Sequence, residues 1–121
     1  MKSKRTLILG ASPNQSRYSN IATLRLIEND HPVFPVGIRK GTINGVPIIT
    51  ENKIIENIDT ITLYVGTKNQ KQWFDYILSI NPKRIIFNPG TENPVLENVA
   101  KKAGIETETA CTLVLLSIGE Y

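Results

Sequence analysis

Short apolar runs alternate along the chain with stretches in which apolar residues recur every three or four positions. Thr6-Leu7-Ile8-Leu9, Val33-Phe34-Pro35-Val36, residues 60–65 and Arg84-Ile85-Ile86-Phe87 are brief, continuous and apolar enough to read as buried strands. Pro35 lacks a ladder donor, so its strand should carry a bulge or pair on one side only there. Between the runs, Ile21, Leu24 and Ile27 predict one helical face, as do Trp73, Phe74, Ile77 and Leu78, and then Leu96, Val99, Ala100 and Ala103. Ser19 is the expected cap of the first helix, which Pro32 cannot extend. Thr50 predicts a brief helix over 51–56, and Asn69 with Gln72 predicts a capping pair. Pro82 stops the second long helix. Asn93 followed by Pro94 opens the third, and Gly104 ends it in the left-handed region. A short strand over 105–109 and a closing helix over 111–118 complete the expectation.

Strands alternating with helices imply an α/β fold with a mainly parallel sheet covered on both faces. Right-handed crossovers place the loops that follow the strands on one edge, where ligands bind in such sheets. Loops 10–16, 37–41, 66–69 and 88–92 should therefore converge. At 121 residues the chain is expected to form a single domain, 1–121. No apolar stretch approaches the roughly 20 residues of a membrane helix. No signal-peptide pattern follows Lys2, Lys4 and Arg5, because Gly10 and its polar loop interrupt the apolar run. Cys111 is the only cysteine, which excludes an internal disulfide and a cysteine metal cluster, and a cytoplasmic setting is expected. The net charge of +3 suits a polyanionic small molecule and does not by itself point to nucleic acid.

The candidate chemistry sits in two loops. Gly10-Ala11-Ser12-Pro13-Asn14 joins a strand to a helix, the opening of a nucleotide-binding βαβ unit. Unpaired amides at a helix start attract phosphate, and Ser12, Asn14, Gln15 and Ser16 add side-chain donors. The dinucleotide fingerprint wants three glycines and this loop has one. Where a dinucleotide site offers an acid to a ribose hydroxyl, the second strand here ends in Arg39 and Lys40. Two cations attract a ribose phosphate, so charge predicts NADP or coenzyme A. Tyr64 ends a strand at the same edge and is placed to pack on a base; Glu92 lies in the fourth loop. No catalytic group is assigned. His31 reads as a solvated turn residue away from that edge, no Ser-His-Asp set assembles, and Cys111 before a helix reads as buried and inert.

Leu9-Gly10-Ala11-Ser12-Pro13, Val33-Phe34-Pro35-Val36, Gly45-Val46-Pro47, Asn88-Pro89-Gly90-Thr91-Glu92 and Ala110-Cys111-Thr112-Leu113-Val114 together resemble the small stand-alone CoA-binding proteins. These are similar to the N-terminal Rossmann domain of the succinyl-CoA synthetase alpha subunit. The resemblance implies a three-layer Rossmann-like fold with a five-stranded sheet and CoA lying across the loop edge. Gly10, Ala11, Ser12 and Pro13 match its phosphate turn, and Lys40 matches its basic-loop lysine. Pro89, Gly90, Thr91 and Glu92 match its third CoA-contacting segment. Many members carry Asn-Pro where this chain has Gly37-Ile38, and the synthetase needs a second domain with a phosphorylated histidine. The expected function is binding of CoA or an acyl-CoA, as a carrier, sensor or regulatory module without chemistry of its own. A small NADP-binding oxidoreductase is the alternative, and no protein partner is legible.

Overall fold

The structure, a computed structural model, describes residues 2–121. Five parallel strands form one sheet in the order β2-β1-β5-β6-β7. They are β1 (Thr6–Leu9), β2 (Val33–Val36), β5 (Thr60–Leu63), β6 (Arg84–Phe87) and β7 (Glu106–Thr109). A two-stranded antiparallel ribbon, β3 (Thr42–Ile43) with β4 (Val46–Pro47), comes between β2 and β5 in chain order. Helices α1 (Tyr18–Glu28), α2 (Phe74–Ile80), α3 (Pro94–Lys102) and α4 (Thr112–Ser117) cover the sheet. The result is the expected three-layer, Rossmann-like α/β arrangement.

Alternation along β1, β5 and β6 feeds two cores. Leu7, Leu9, Ile61, Leu63, Ile85 and Phe87 pack with Trp73, Ile77, Leu96 and Ala100 from α2, α3 and the turn before α2. Ile8 and Ile86 face the other way, onto Leu26, Leu116 and Tyr121. Pro35 lies on an edge strand as anticipated; its carbonyl accepts from Ile49, and a lone parallel bridge joins Ile49 to Val36. Among the described residues no helix is long and apolar enough to cross a membrane.

Several local expectations are corrected. The first helix starts one residue before Ser19, its N-cap position being Arg17 with no side-chain cap. Ser19, Asn20, Ala22, Thr23 and Leu26 form its buried face, and Ile21, Leu24 and Ile27 are only half-buried. Small residues let α1 lie close to the sheet, so side-chain volume rather than hydropathy sets its rotation. No helix forms over 51–56. The Arg5 guanidinium takes the carbonyls of Glu56 and Asn57, and the Tyr76 hydroxyl takes that of Lys53. The Lys53 and Glu56 carbonyls are thus bonded to distant side chains and not to a helical ladder. The strand over 60–65 ends at Leu63. Asn69 and Gln72 cap nothing: two short 3₁₀ turns, Thr67–Asn69 and Lys71–Trp73, precede α2. Asn93 does cap α3 through the Val95 and Leu96 amides, with Pro94 in the first helical turn.

His31 is not solvated. It is buried, its Nδ1 accepts the Lys4 amide at 3.0 Å, and its ring meets Tyr121 edge-on. Burial lowers its pKa, and Lys4 and Arg84 push the same way. Around it the N-terminal strand ends are knit together. The Thr6 and Tyr121 hydroxyls lie 2.6 Å apart, and the Lys4 ammonium donates to the Tyr121 backbone oxygen. Arg84 donates to Thr60, pairs with Glu108 and stacks on the Tyr121 ring.

Candidate functional site

The loops that follow the strands do converge. They surround a cavity of about 680 Å³ at the C-terminal edge of the sheet. Gly10, Ala11, Ser12, Arg39, Tyr64, Pro89, Gly90 and Thr91 line it, bringing together eight of the eleven predicted site residues. Pro13, Lys40 and Glu92 stand outside it. Pro13 lies against Gly41, Lys40 is exposed, and the Glu92 carbonyl accepts the Thr67 hydroxyl at 2.7 Å.

Close backbone approach shapes the floor. Gly10 has φ +98°, and a Cβ there would come within 2.9 Å of the Tyr64 carbonyl carbon. A Cβ on Gly37 would overlap the Ala11 carbonyl oxygen. The glycine at the end of β2 is therefore what lets the first loop settle onto the second. The same packing changes which amides face the cavity. Gly10 and Ala11 both donate to the Val36 carbonyl at 2.9 Å, so neither is free for phosphate. Asn14, Ser16 and Ser12 bond to one another within the loop. Ser12, Tyr18 and Ser19 line the cavity, and their backbone amides make no hydrogen bond among the described residues. The amides left unpaired beside the cavity thus lie at Ser12 and in the first turn of α1, and not at Gly10 or Ala11.

Two cations join them. Arg17, at the N-terminus of α1, and Arg39 both line the cavity, and neither forms an ion pair among the described residues. No Asp, Glu, His or Cys is among the lining residues. The helix end adds partial positive charge to a field with no local counter-charge. At the rim, the apolar side chains of Tyr18 and Ile38 are 71% and 80% exposed, flat or branched surfaces left uncovered beside the cations. Nothing in the local sequence pattern marked Arg17. Ile38 does stand out in the sequence, as an isolated large aliphatic in a polar, glycine-bracketed loop.

The far side is built by buried amides. The Asn88 side chain donates to Thr62 Oγ1 and to the Leu63 carbonyl, and accepts the Thr112 amide. The Thr62 and Thr112 hydroxyls lie 2.7 Å apart, and Thr91 Oγ1 donates to the Asn88 carbonyl. Gln70, fully buried, donates to the Val65 and Thr91 carbonyls and accepts from Asn93. Tyr64 lines the cavity, while its hydroxyl is buried without a hydrogen-bond partner among the described residues. Burial, with Cys111 nearby, pushes that phenol's pKa up. Cys111 occupies the N-cap position of α4, half-buried and outside the cavity lining. Among the described residues no group of three His, Cys, Asp or Glu side chains could hold a metal ion.

Residues 4–117 match a family model described as a CoA binding domain. A crystal structure described only as an uncharacterized protein is 49% identical, with all of both chains covered and a TM-score of 0.98. The PH1109 protein redesigned for binding is 22% identical over 98% of this chain and 84% of its own, with a TM-score of 0.86. A hypothetical protein from Pyrococcus horikoshii OT3 is 23% identical over 93% and 81%, with a TM-score of 0.84. The last two share the fold. No curated protein matches the chain.

Proposed function

The chain belongs to the CoA binding domain family, and from that membership we propose that it binds coenzyme A or an acyl-CoA at the strand-end cavity, as a carrier, sensor or regulatory module. The observation that carries this reading is the pairing of Arg17 and Arg39 with unpaired α1 amides in one cavity that has no acidic lining residue. Coenzyme A offers a pyrophosphate and a ribose 3′-phosphate to such donors. The Ser12, Tyr18 and Ser19 amides and the Arg17 guanidinium are placed for the pyrophosphate. Arg39, at the end of β2, is placed for the ribose phosphate, a role that residue order alone would give equally to Lys40. Ile38 and Tyr18 supply apolar surface for the adenine.

The lining groups can bind, orient and exclude water, and none is a carboxylate, imidazole or thiol able to move a proton at neutral pH. Tyr64 is the one phenol with a buried hydroxyl there, and its raised pKa keeps it protonated. We therefore read the site as a binding site and assign no catalytic residue. Titration calorimetry with CoA, dephospho-CoA, NADP and NAD tests the reading. The expected order is CoA above dephospho-CoA, with both nicotinamide dinucleotides weaker. Binding of NADP with no response to CoA would overturn it.

A further inference from the structure

We infer that Gln70 is a positioning residue, which fixes the separation of two cavity walls that receive the uncharged arm of the ligand beyond its phosphates; the inference rests on the CoA reading above. One wall follows β5 and presents Val65 and Gly66. The other follows β6 and presents Pro89, Gly90 and Thr91; Trp73, just before α2, also lines the cavity. The sheet does not hold these walls together. The β5–β6 ladder ends at Leu63 and Phe87, and beyond it no backbone hydrogen bond joins the two loops among the described residues.

Asn88 ties the base of the wall after β6 to the end of β5 through the Leu63 carbonyl, and beyond that point Gln70 supplies the link between the two walls. It is fully buried, and both protons of its side-chain amide are used. Nε2 donates to the Val65 carbonyl at 2.9 Å and to the Thr91 carbonyl at 2.6 Å. Its Oε1 accepts from Asn93 Nδ2 at 2.9 Å, and Asn93 Oδ1 in turn holds the first amides of α3. One side chain thereby fixes a lining residue of each wall relative to a helix start. An exposed second tie runs from the Thr67 hydroxyl to the Glu92 carbonyl at 2.7 Å. The cations lie on the first and second loops, so the walls that Gln70 spaces carry no charge. An arm with no charge and two amides, like that of coenzyme A, matches a slot of this polarity. A slot set before binding avoids the ordering cost that two free loops would impose.

The test compares whole CoA with adenosine 3′,5′-bisphosphate, a fragment that carries the nucleotide end alone. Calorimetry on the full chain should show that Gln70→Ala lowers CoA affinity at least about tenfold and leaves the fragment within about twofold. A merely structural role would lower the melting temperature and weaken both ligands alike, or neither; either result overturns the inference. Failure of the wild-type chain to bind CoA overturns the binding reading itself, a distinct outcome. Should Gln70→Ala not fold, Thr67→Val removes the exposed tie alone. It is expected to weaken CoA by about two- to fivefold with the fragment unchanged, and equal CoA affinity in that variant and the wild type also overturns the inference.

Discussion

At the N-terminal ends of the strands, Arg84 is buried, ion-paired to Glu108, bonded to Thr60 and stacked on Tyr121. At the C-terminal ends, Arg17 and Arg39 make no ion pair among the described residues, and three backbone amides beside them are unpaired. The same residue type thus serves opposite ends in opposite ways. A guanidinium closed off by its own fold contributes to stability, and its removal strands the partners left behind. A guanidinium kept open in a cavity holds its donors for a ligand, and its removal should scarcely touch the fold. The contrast predicts that stability and affinity are encoded at opposite ends of one sheet.

The most severe way to break that contrast is at the closed end. Arg84→Ala leaves Glu108 unpaired, removes the Thr60 bond and uncovers the Tyr121 ring. Lost packing on the Tyr121 ring and the lost Thr60 bond should cost about 2–3 kcal/mol, with a smaller share from partly exposed Glu108, seen in urea denaturation, with CoA affinity of the folded fraction unchanged. A loss of affinity without a loss of stability would invert the assignment. Gly37→Ala sits where the two open-end loops touch, so it should move both readouts. Overpacking against the Ala11 carbonyl should cost about 1–3 kcal/mol of stability, and CoA binding should weaken as the first loop shifts.

At the open end, Arg39→Ala and Arg17→Ala should each lower CoA affinity by about 1.5 kcal/mol, roughly tenfold, with melting temperatures close to wild type. Arg39→Ala should also narrow the gap between CoA and dephospho-CoA. Lys40→Ala, one residue further on, is the matched control and should change CoA affinity by less than about twofold, since an exposed charge outside the cavity is screened.

The smallest effect is one of pH, and it too belongs to the closed end. His31 is held below its ordinary value of 6.5, first by burial and then by Lys4 and Arg84, with Asp30 opposing. The folded chain therefore favours the neutral ring, whose Nδ1 accepts the Lys4 amide. The stability this adds is complete above the unfolded value and falls as pH drops below about 6.5, toward the folded value. Urea midpoints at about pH 7.5 and about pH 5.5 should differ in that direction. His31→Asn, which keeps an acceptor in the same region, should flatten the difference.

Much of the architecture was legible because four of the five sheet strands are short, largely apolar runs with a stop signal on either side; β7, Glu-Thr-Glu-Thr, is the exception. Strand–helix alternation then left little choice of topology. The face of α1 was not legible. Ser19, Asn20 and Thr23 look like surface residues, yet they are what allows close packing, while the larger Ile21 and Leu24 lie at its margin. The cavity's location followed from the loop order, but its donors did not. Gly10 and Ala11 form the recognisable turn, and their amides are spent on Val36. Arg39 and Lys40 are adjacent and chemically alike, and only the path of the chain after Gly37 decides which one reaches the cavity. Gln70 was invisible for a related reason. Nothing distinguishes it in sequence from exposed Gln15 or Gln72, because burial and three hydrogen bonds are properties of where the chain goes.

The contact between Gly37 and the Ala11 carbonyl has a practical consequence for anyone rebuilding this site. The two loops have no spare room between them, so they behave as a single cassette. A basic loop grafted from a relative that carries a side chain at this position would arrive without the hollow that side chain needs. Exchanging both loops together, from the same donor, is the transplant with a prospect of keeping its shape.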